Sequence, residues 1–252
     1  MAKFFGSHIV LVAFLLVNAC ATTPRDEQSA ALHMQIGAGH LENGNYPAAL
    51  KELQIAAKLD PNNAEIQNNL ALAYFVRERH LKAEEHLKRA LEIDPKFTEA
   101  KNNLARTYHD TGQYDACISM AAEVVKDLTY STPEKGYLHK GMCLLEKGKY
   151  AEAKADFLEA LKISSSMCTA QFYIGQIFYR QNKFDVAAEG FDRALKMCQN
   201  KYPAAHYFSA LARLHSGHKE EAIIRLEEVT KIYPESDITK KAAQLLKAVS
   251  TQ

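Results

Sequence analysis

Tryptophan is absent from this sequence, and only 7 prolines and 11 glycines occur in 252 residues. Neither sign of charge dominates, since 31 basic side chains face 30 acidic ones. This balance, without a polybasic run, argues against nucleic-acid binding and against charge-driven adhesion to an anionic lipid surface. No phosphate-binding glycine loop, HExxH, Gly-x-Ser-x-Gly or CxxC motif is present. The sequence therefore predicts no enzyme, no cofactor and no metal site.

The N-terminus combines one basic side chain, Lys3, with an apolar run from Ile9 to Val17. A helix needs about 20 apolar residues to cross a bilayer, so this run is too short to span one. A basic start, a short apolar core and a small residue before a break are typical of a secretory signal peptide. We therefore predict a signal peptide over residues 1–19.

The segment that follows resembles a bacterial lipoprotein junction. Residues 17–20 are VNAC, similar to the lipobox, in which cleavage before the cysteine leaves a thiol that receives diacylglycerol. The resemblance implies that Cys20 is lipidated and anchors the protein to the membrane without spanning it. Ala21, where Gram-negative lipoproteins kept at the inner membrane have Asp, implies the periplasmic face of the outer membrane. The polar residues 20–29 predict a flexible tether. The alternative is an ordinary cleaved leader with a chance cysteine.

A repeat occupies most of the remaining chain. Asp60-Pro61 and Asp94-Pro95 lie 34 residues apart, the period of the tetratricopeptide repeat, and the repeat's small and large apolar positions recur with them. We predict an all-α fold: a right-handed superhelical solenoid of six tetratricopeptide repeats over residues 30–236. The predicted units begin near residues 30, 64, 98, 134, 168 and 203.

Residues that end helices occur at the positions expected for this repeat. Glycines that permit a positive φ should end the first helix of several pairs, and the Asp-Pro pairs should end the second. An amphipathic segment over residues 237–252 predicts a C-terminal capping helix and tail, because a solenoid needs a terminal element with a polar outer face. The turn glycines are Gly44, Gly112, Gly148 and Gly217.

The first helices of such pairs line a concave face that commonly binds an extended peptide or a helix. We predict an apolar partner-binding groove with a more polar third repeat. The alternative for each apolar residue is packing between helices. The predicted groove residues are Met34, Leu41, Asn68, Leu72, Phe75, Val76, Asn102, Arg106, Leu138 and Met142.

Four cysteines follow Cys20, and an exported protein lies where disulfides persist. Cys168 begins one predicted hairpin and Cys198 ends it, so an antiparallel pair brings them together. Cys117 begins a second helix, and Cys143 lies late in the adjoining, oppositely directed helix. We predict the disulfides Cys168–Cys198 and Cys117–Cys143. The alternative is that these are small buried packing residues.

The lipobox, tether, six tetratricopeptide repeats and capping helix together resemble the type IV pilus pilotin family of small outer-membrane lipoproteins. Residues 102–104 (NNL) resemble the family's Asn-Asn-aromatic segment, and residues 128–134 (LTYSTPE) and 232–236 (IYPES) resemble its Tyr-Pro-Glu stretch. The sequence departs from the family in having Leu104-Ala105 where an aromatic and Gly are common. It also places two extra residues, Ser131 and Thr132, before a proline.

The resemblance implies a binding function. Family members help the pilus secretin reach the outer membrane and assemble, so the implied partner is a secretin subunit, held in the groove of the early repeats. We expect a monomer that binds no nucleic acid. The competing interpretation is a different lipid-anchored scaffold, which organises cell-wall or other envelope enzymes in the periplasm.

Overall fold

The computed structural model describes residues 23–234 and 236–250. Within these residues every regular element is an α-helix, which confirms the all-α prediction. The helices are α1 (Pro24–Glu42), α2 (Tyr46–Leu59), α3 (Ala64–Phe75), α4 (His80–Ile93), α5 (Thr98–Asp110), α6 (Tyr114–Val124), α7 (Pro133–Glu146), α8 (Tyr150–Ile163), α9 (Cys168–Arg180), α10 (Phe184–Met197), α11 (Pro203–His215), α12 (Lys219–Ile232) and α13 (Asp237–Ser250).

Consecutive helices pack as six hairpins, from α1 with α2 to α11 with α12, and each hairpin packs on the next. Each first helix from α1 to α7 also contacts the first helix of the following hairpin, which places α1, α3, α5, α7 and α9 along one side of the stack. The result is a tetratricopeptide solenoid, as the 34-residue period predicts. After the first hairpin, the first helices begin at Ala64, Thr98, Pro133, Cys168 and Pro203.

The predicted tether over residues 20–29 is wrong from Pro24 onward, because α1 begins there and not near residue 30. Thr23 is the N-cap: its hydroxyl accepts from the backbone N–H of Asp26, whose carboxylate accepts in turn from the backbone N–H of Thr23. Pro24 occupies the first helical position, where its fixed φ favours a helix and its missing N–H costs nothing. Polarity and a proline thus marked a helix start and not a flexible segment.

Residues 1–19, predicted as a signal peptide, and Cys20, predicted as the lipidation site, lie outside the described residues. Between residues 23 and 250, leaving out residue 235, no helix is both long enough and apolar enough to cross a membrane.

A residue with φ in the left-handed region follows the first helix of each of the six hairpins, and in the fifth hairpin this residue is Asn182. Gly44, Gly112, Gly148 and Gly217 have φ between 72° and 84°, a region that costs glycine little. The second hairpin has Glu78 at this position instead, with φ of 58°. A side chain with a Cβ is less favourable there.

Close approach of the two helices in a hairpin depends on small residues facing large ones. A Cβ built on Gly175 of α9 would lie 2.7 Å from the Phe191 ring of α10, and one built on Gly141 would lie 2.6 Å from the Phe157 ring. Phe157 and Phe191 are fully buried. The core is therefore a line of separate clusters along the stack, as expected for a repeat protein.

The C-terminal end of the stack is closed by α13, which packs on α12 and α11. Ala242 of α13 is fully buried against Ala222, Leu226 and Val229. The hydroxyl of Thr239 donates to the carbonyl of Tyr233, which fixes the start of α13. This helix is the predicted cap.

Both predicted cysteine pairs are in disulfide geometry. Cys117 of α6 and Cys143 of α7 have Cα atoms 6.3 Å apart, and this pair joins two neighbouring hairpins. Cys168 begins α9 and Cys198 caps the end of α10, with Cα atoms 5.7 Å apart, so this pair closes one hairpin. Both separations lie in the range of protein disulfides. Oxidation of these thiols in the exported protein stays a prediction.

Candidate protein-binding groove

A pocket of about 520 Å³ opens along the side where the first helices meet. It extends over four successive hairpins, since α3, α5, α7 and α9 all contribute side chains, and the residue before α11 completes one end. We call this pocket the groove. Its lining residues are Leu72, Glu99, Asn102, Asn103, Arg106, Lys135, Leu138, His139, Met142, Thr169, Tyr173 and Tyr202.

Five of the ten predicted groove residues line this pocket. Leu72 contributes from α3, Asn102 and Arg106 from α5, and Leu138 and Met142 from α7. Leu138 and Met142 are partly buried against the core of the fourth and fifth hairpins, so each presents only part of its surface to the groove. The groove therefore combines apolar side chains with a central polar strip.

Three other predicted residues do not line the groove. Met34 and Leu41 of α1 pack against clusters formed with Leu53 and Ile66, so most of their surface faces neighbouring helices. Val76 is 38% exposed and caps the end of α3, where it faces solvent outside the groove. For Met34 and Leu41, packing between helices is the better description.

Asn68, Phe75 and Asn102 are buried, whereas the sequence prediction placed them on an exposed concave surface. Buried amides require hydrogen-bond partners. The side chain of Asn103 donates to the Asn68 carbonyl oxygen at 2.9 Å, and the Asn102 oxygen lies 3.0 Å from Nδ1 of His139. Asn102 and Asn103 are adjacent on α5, yet one joins α5 to α7 and the other joins it to α3. Asn102 thus lines the groove as part of its floor, and Asn68 lines a smaller neighbouring pocket.

Phe75 is buried beneath an arginine. The guanidinium of Arg106 lies 4.1 Å from the centre of the Phe75 ring, a cation–π contact. Because Arg106 itself remains exposed, it presents a positive charge to the groove while covering the aromatic surface that was predicted to contact a partner.

The charge near Arg106 is balanced by Asp110, which lies one turn later on α5. The ring of His109 pairs with the Asp110 carboxylate at 2.8 Å. Burial raises the pKa of Asp110, but the hydrogen bond and charge of His109, together with the charge of Arg106, hold that pKa below its usual value. Asp110 is therefore ionised at neutral pH.

His139 is a neutral part of the groove floor. Burial lowers the pKa of His139 to about 3, and the positive charges of Arg106 and His109 act in the same direction. At neutral pH the imidazole is uncharged, and protonation at Nδ1 lets it donate to the Asn102 oxygen. In this state it is a fixed hydrogen-bonding group of the groove floor.

The lengthened junction between α6 and α7 holds one edge of the groove in place. The hydroxyl of Tyr130 donates to the carboxylate of Glu99 at the start of α5, and the hydroxyl of Thr98 donates to Asp127. Hydrogen bonds from Thr129 and Thr98 lower the pKa of Asp127 to about 2. Glu99 lines both the groove and the adjacent pocket, so this junction orients a charged groove residue.

Sequence reasoning missed seven lining residues, and six of them occupy two positions of the repeat register. Asn69 and Asn103 are 34 residues apart, and allowing for the two inserted residues in the next junction, the following equivalents are His139 and Tyr173. Tyr202 could not be found in this way, because it lies in a connection whose path depends on Gln199 and Asn200 with φ of 52° and 61°. The remaining missed residues, which share the second register position, are Glu99, Lys135 and Thr169.

No group of three or more His, Cys, Asp or Glu side chains able to hold a metal ion occurs in residues 23–234 and 236–250.

Sequence comparison identifies the same repeat that the fold shows. The tetratricopeptide repeat profile matches residues 35–96, 140–201 and 172–237, and a second tetratricopeptide profile matches residues 75–129. The first profile alone covers more than half of the chain, so the chain belongs to the tetratricopeptide-repeat family.

Individual relatives narrow this class. The type IV pilus assembly protein PilF of Pseudomonas aeruginosa is 24% identical over 213 residues, which cover 78% of this chain and 84% of PilF. The crystal structure of PilW, a widely conserved type IV pilus biogenesis factor, has a TM-score of 0.77 at 19% identity and covers 86% of this chain and 99% of PilW. The solved structure of P. aeruginosa PilF has a TM-score of 0.67 and the same identity and coverage of this chain.

Structural likeness alone shows only the fold. The Cut9–Hcn1 assembly of APC/C reaches a TM-score of 0.76 at 17% identity, with 88% of this chain covered. Together with the sequence match, the comparisons make this chain a tetratricopeptide-repeat protein related to the type IV pilus biogenesis factors PilF and PilW.

Proposed function

We propose that this chain is a lipid-anchored scaffold that binds a segment of the type IV pilus secretin and assists its outer-membrane targeting and its assembly into multimers. The observation that carries the proposal is the groove itself, a pocket shared by four successive hairpins in a chain related to PilF. A surface of this kind suits an extended polypeptide better than a compact ligand.

The chemistry of the groove supports a mixed contact. Leu72, Leu138 and Met142 supply apolar surface on both sides of the polar floor, and Met side chains adapt to different apolar partners. Arg106 and Lys135 are exposed cations, and Glu99 is an anion held by Tyr130. A bound segment would therefore have apolar side chains at its ends and polar or charged groups near its middle.

The proposed action is binding without catalysis. The groove contains one histidine, and its imidazole is buried, neutral and engaged with Asn102. Arg106, His109 and Asp110 are engaged with Phe75 and with each other. A general base or nucleophile needs a reactive atom facing the substrate, and these side chains act instead as fixed recognition groups.

The groove is tested in cells by Leu72→Asp combined with Leu138→Asp. Both changes place a carboxylate on the apolar parts of the groove, so we expect secretin multimers to fall to the level of a deletion strain, as measured by immunoblotting of unheated envelope samples. The matched control is Leu81→Asp, because Leu81 of α4 is 78% exposed and lies outside the groove. Normal multimers in the double variant, with wild-type abundance of the scaffold, would refute the groove as the binding site.

The lipid anchor is tested separately by Cys20→Ser. We expect this variant to lose its diacylglyceryl mass and to move from the outer-membrane fraction to the soluble periplasmic fraction. Persistence in the outer membrane without lipid would show that the proposed anchor is wrong. If secretin multimers form normally in a deletion strain, the alternative of a scaffold for cell-wall or other envelope enzymes gains support.

A further inference from the structure

The two ends of the solenoid differ. The C-terminal end is covered by α13, whereas none of the described helices packs on the outer face of α1. Leu32 is 57% exposed and Ile36 is 41% exposed, and these two side chains lie one turn apart on that face. A repeat stack normally needs a terminal element with a polar outer face, so two exposed large aliphatic residues here call for a physical explanation.

The repeat register shows which surface covers the equivalent residues in the later hairpins. The equivalents of Leu32 and Ile36 in the second hairpin are Ile66 and Leu70, which are 0% and 2% exposed. They are buried by residues of α2, the second helix of the preceding hairpin. In the third hairpin the equivalents are Ala100 and Leu104, again at most 1% exposed. The outer face of α1 is therefore the surface on which a preceding hairpin would pack, and within residues 23–234 and 236–250 no helix occupies it.

The corrected start of α1 indicates what covers this face. Only Ala21, Thr22 and Thr23 separate Cys20 from Pro24, and the four steps between those two Cα atoms span at most about 14 Å. The headgroup layer of one leaflet is roughly 5–8 Å thick. If the Cys20 acyl chains are in the bilayer, as the proposed function requires, α1 starts within about 14 Å of the lipidated cysteine, which is about two headgroup-layer thicknesses.

The charges on α1 agree with such a position. Helical periodicity places Arg25, Gln28, Leu32 and Ile36 on one stripe, which we call the α1 stripe, and a shallow depression on α1 is lined by several of these residues. No carboxylate lies on the stripe. Asp26 and Glu27 project from other sides of the helix, and Asp26 is engaged with Thr23. A basic residue followed by exposed aliphatic residues is compatible with phosphate headgroups and the acyl boundary below them.

We propose that the α1 stripe lies on the surface of the membrane that holds the Cys20 lipid, so that the bilayer replaces the missing N-terminal cap. This inference rests on the proposed lipid anchor. It means that the scaffold has a fixed orientation on the membrane: α1 is at the surface, and each following hairpin lies farther from it.

The absence of tryptophan from the chain provides a direct test. Leu32→Trp places a single fluorescent probe on the stripe, and Leu81→Trp places one at an exposed position on α4 as the matched control. Each variant is purified as full-length lipidated protein and reconstituted into phosphatidylethanolamine–phosphatidylglycerol vesicles, with or without brominated acyl chains. We expect the bromines to remove about half of the emission of the probe at position 32, since interfacial helices bury their apolar face about 5–10 Å deep. Emission from position 81 should be unchanged.

Several results would overturn the inference. Equal emission from position 32 in brominated and normal vesicles would do so. A blue shift at position 32 that grows with protein concentration, without quenching by bromine, would show that a second copy of the chain covers the stripe. Intact mass is measured first: protein without the diacylglyceryl group would overturn both the anchor and this inference, whereas lipidated protein with an unquenched probe would overturn the inference alone.

Discussion

Two adjacent register positions differ between the two halves of the solenoid. At the fifth and sixth residues of the unit, the second and third hairpins have Asn68-Asn69 and Asn102-Asn103, whereas the fifth and sixth have Phe172-Tyr173 and Tyr207-Phe208. The fourth hairpin, between them, has an aliphatic and a polar residue, Leu138-His139. The same two positions are therefore polar in the second and third hairpins and aromatic in the fifth and sixth.

Neighbouring hairpins are held together by hydrogen bonds in one half and by aromatic packing in the other. In the first half, directional hydrogen bonds from Asn103 to Asn68 and between Asn102 and His139 fix how successive first helices align. In the second half, Phe172 contacts Phe191, Tyr202 and Phe208, so neighbouring hairpins are joined by apolar volume. Hydrogen bonds specify geometry at modest net energy, and apolar burial contributes more energy with less directionality. We infer that the first half sets the shape of the groove and the second half contributes more of the stability.

The largest effect is expected from Phe172→Ala. Phe172 is 6% exposed and lies at the centre of the aromatic cluster, so truncation leaves a cavity and should lower the free energy of unfolding by about 3–5 kcal/mol. Chemical denaturation measures the loss, and hydrogen exchange should locate it in α9–α11.

The contrasting variant is Asn103→Ala, at the neighbouring register position in the polar half. It leaves the buried oxygen of Asn68 without its donor and should cost about 1–3 kcal/mol. An equal or larger loss for Asn103→Ala than for Phe172→Ala would contradict the division of roles between the two halves.

The two cysteine pairs sharpen the comparison, because their loops are similar, with sequence separations of 26 and 30 residues. The chain-entropy treatment gives each about 3.5 kcal/mol. Replacing Cys168 and Cys198 by Ala should loosen one hairpin, and replacing Cys117 and Cys143 by Ala should loosen the contact between the two halves. Since the entropic contributions match, any difference between the two losses reports local packing.

This comparison requires that both disulfides form, which non-reducing mass spectrometry of the exported protein can determine first. We expect no free thiol among these four cysteines. Four free thiols would show that the disulfides do not form, and denaturation midpoints with and without reductant should then coincide.

How much of this could be predicted from the sequence depends on whether a feature repeats. The hairpins follow from the 34-residue period, and Leu72 and Arg106 follow from their place on the first helices. The burial of Phe75 could not be predicted, because it results from a guanidinium that folds over the ring from the next hairpin. The start of α1 was missed because a Thr-Pro pair is compatible with both a tether and an N-cap, and only the Asp26 contact distinguishes them.

A smaller effect, confined to the boundary between the halves, is expected on acidification. The unfolded chain binds a proton at His139 below about pH 6.5, but burial holds the folded pKa near 3. The unfolded state therefore binds more protons between these values, so stability is lost as the pH falls from about 6.5. By pH 5 the His139 contribution to this loss should be about 2 kcal/mol. Arg106, His109 and Lys135 oppose protonation, and Asp110 favours it.

The matched variant for this prediction is His139→Gln, which keeps a donor for Asn102 but does not titrate. Between pH 7.5 and pH 5 the free energy of unfolding of the variant should fall by about 2 kcal/mol less than that of the wild type. Partly buried His86 and buried His206 also have pKa values lowered mainly by desolvation, so the comparison uses the difference between the two profiles. Identical profiles would show that His139 is accessible to protons in the folded state.

The smallest effect is expected at a turn in the polar half. Glu78 has φ of 58°, and Asn182 has φ of 59° at the equivalent turn of the aromatic half. Glutamate has no particular tolerance for this region, whereas asparagine enters it more readily. Glu78→Gly should therefore raise the free energy of unfolding by about 0.5–1 kcal/mol, and Asn182→Gly should change it little. Since Glu78 is exposed, lost side-chain contacts cannot offset the gain. A stabilisation at residue 182 as large as that at residue 78 would mean that flexibility elsewhere in the hairpins, and not backbone conformation at these turns, limits stability.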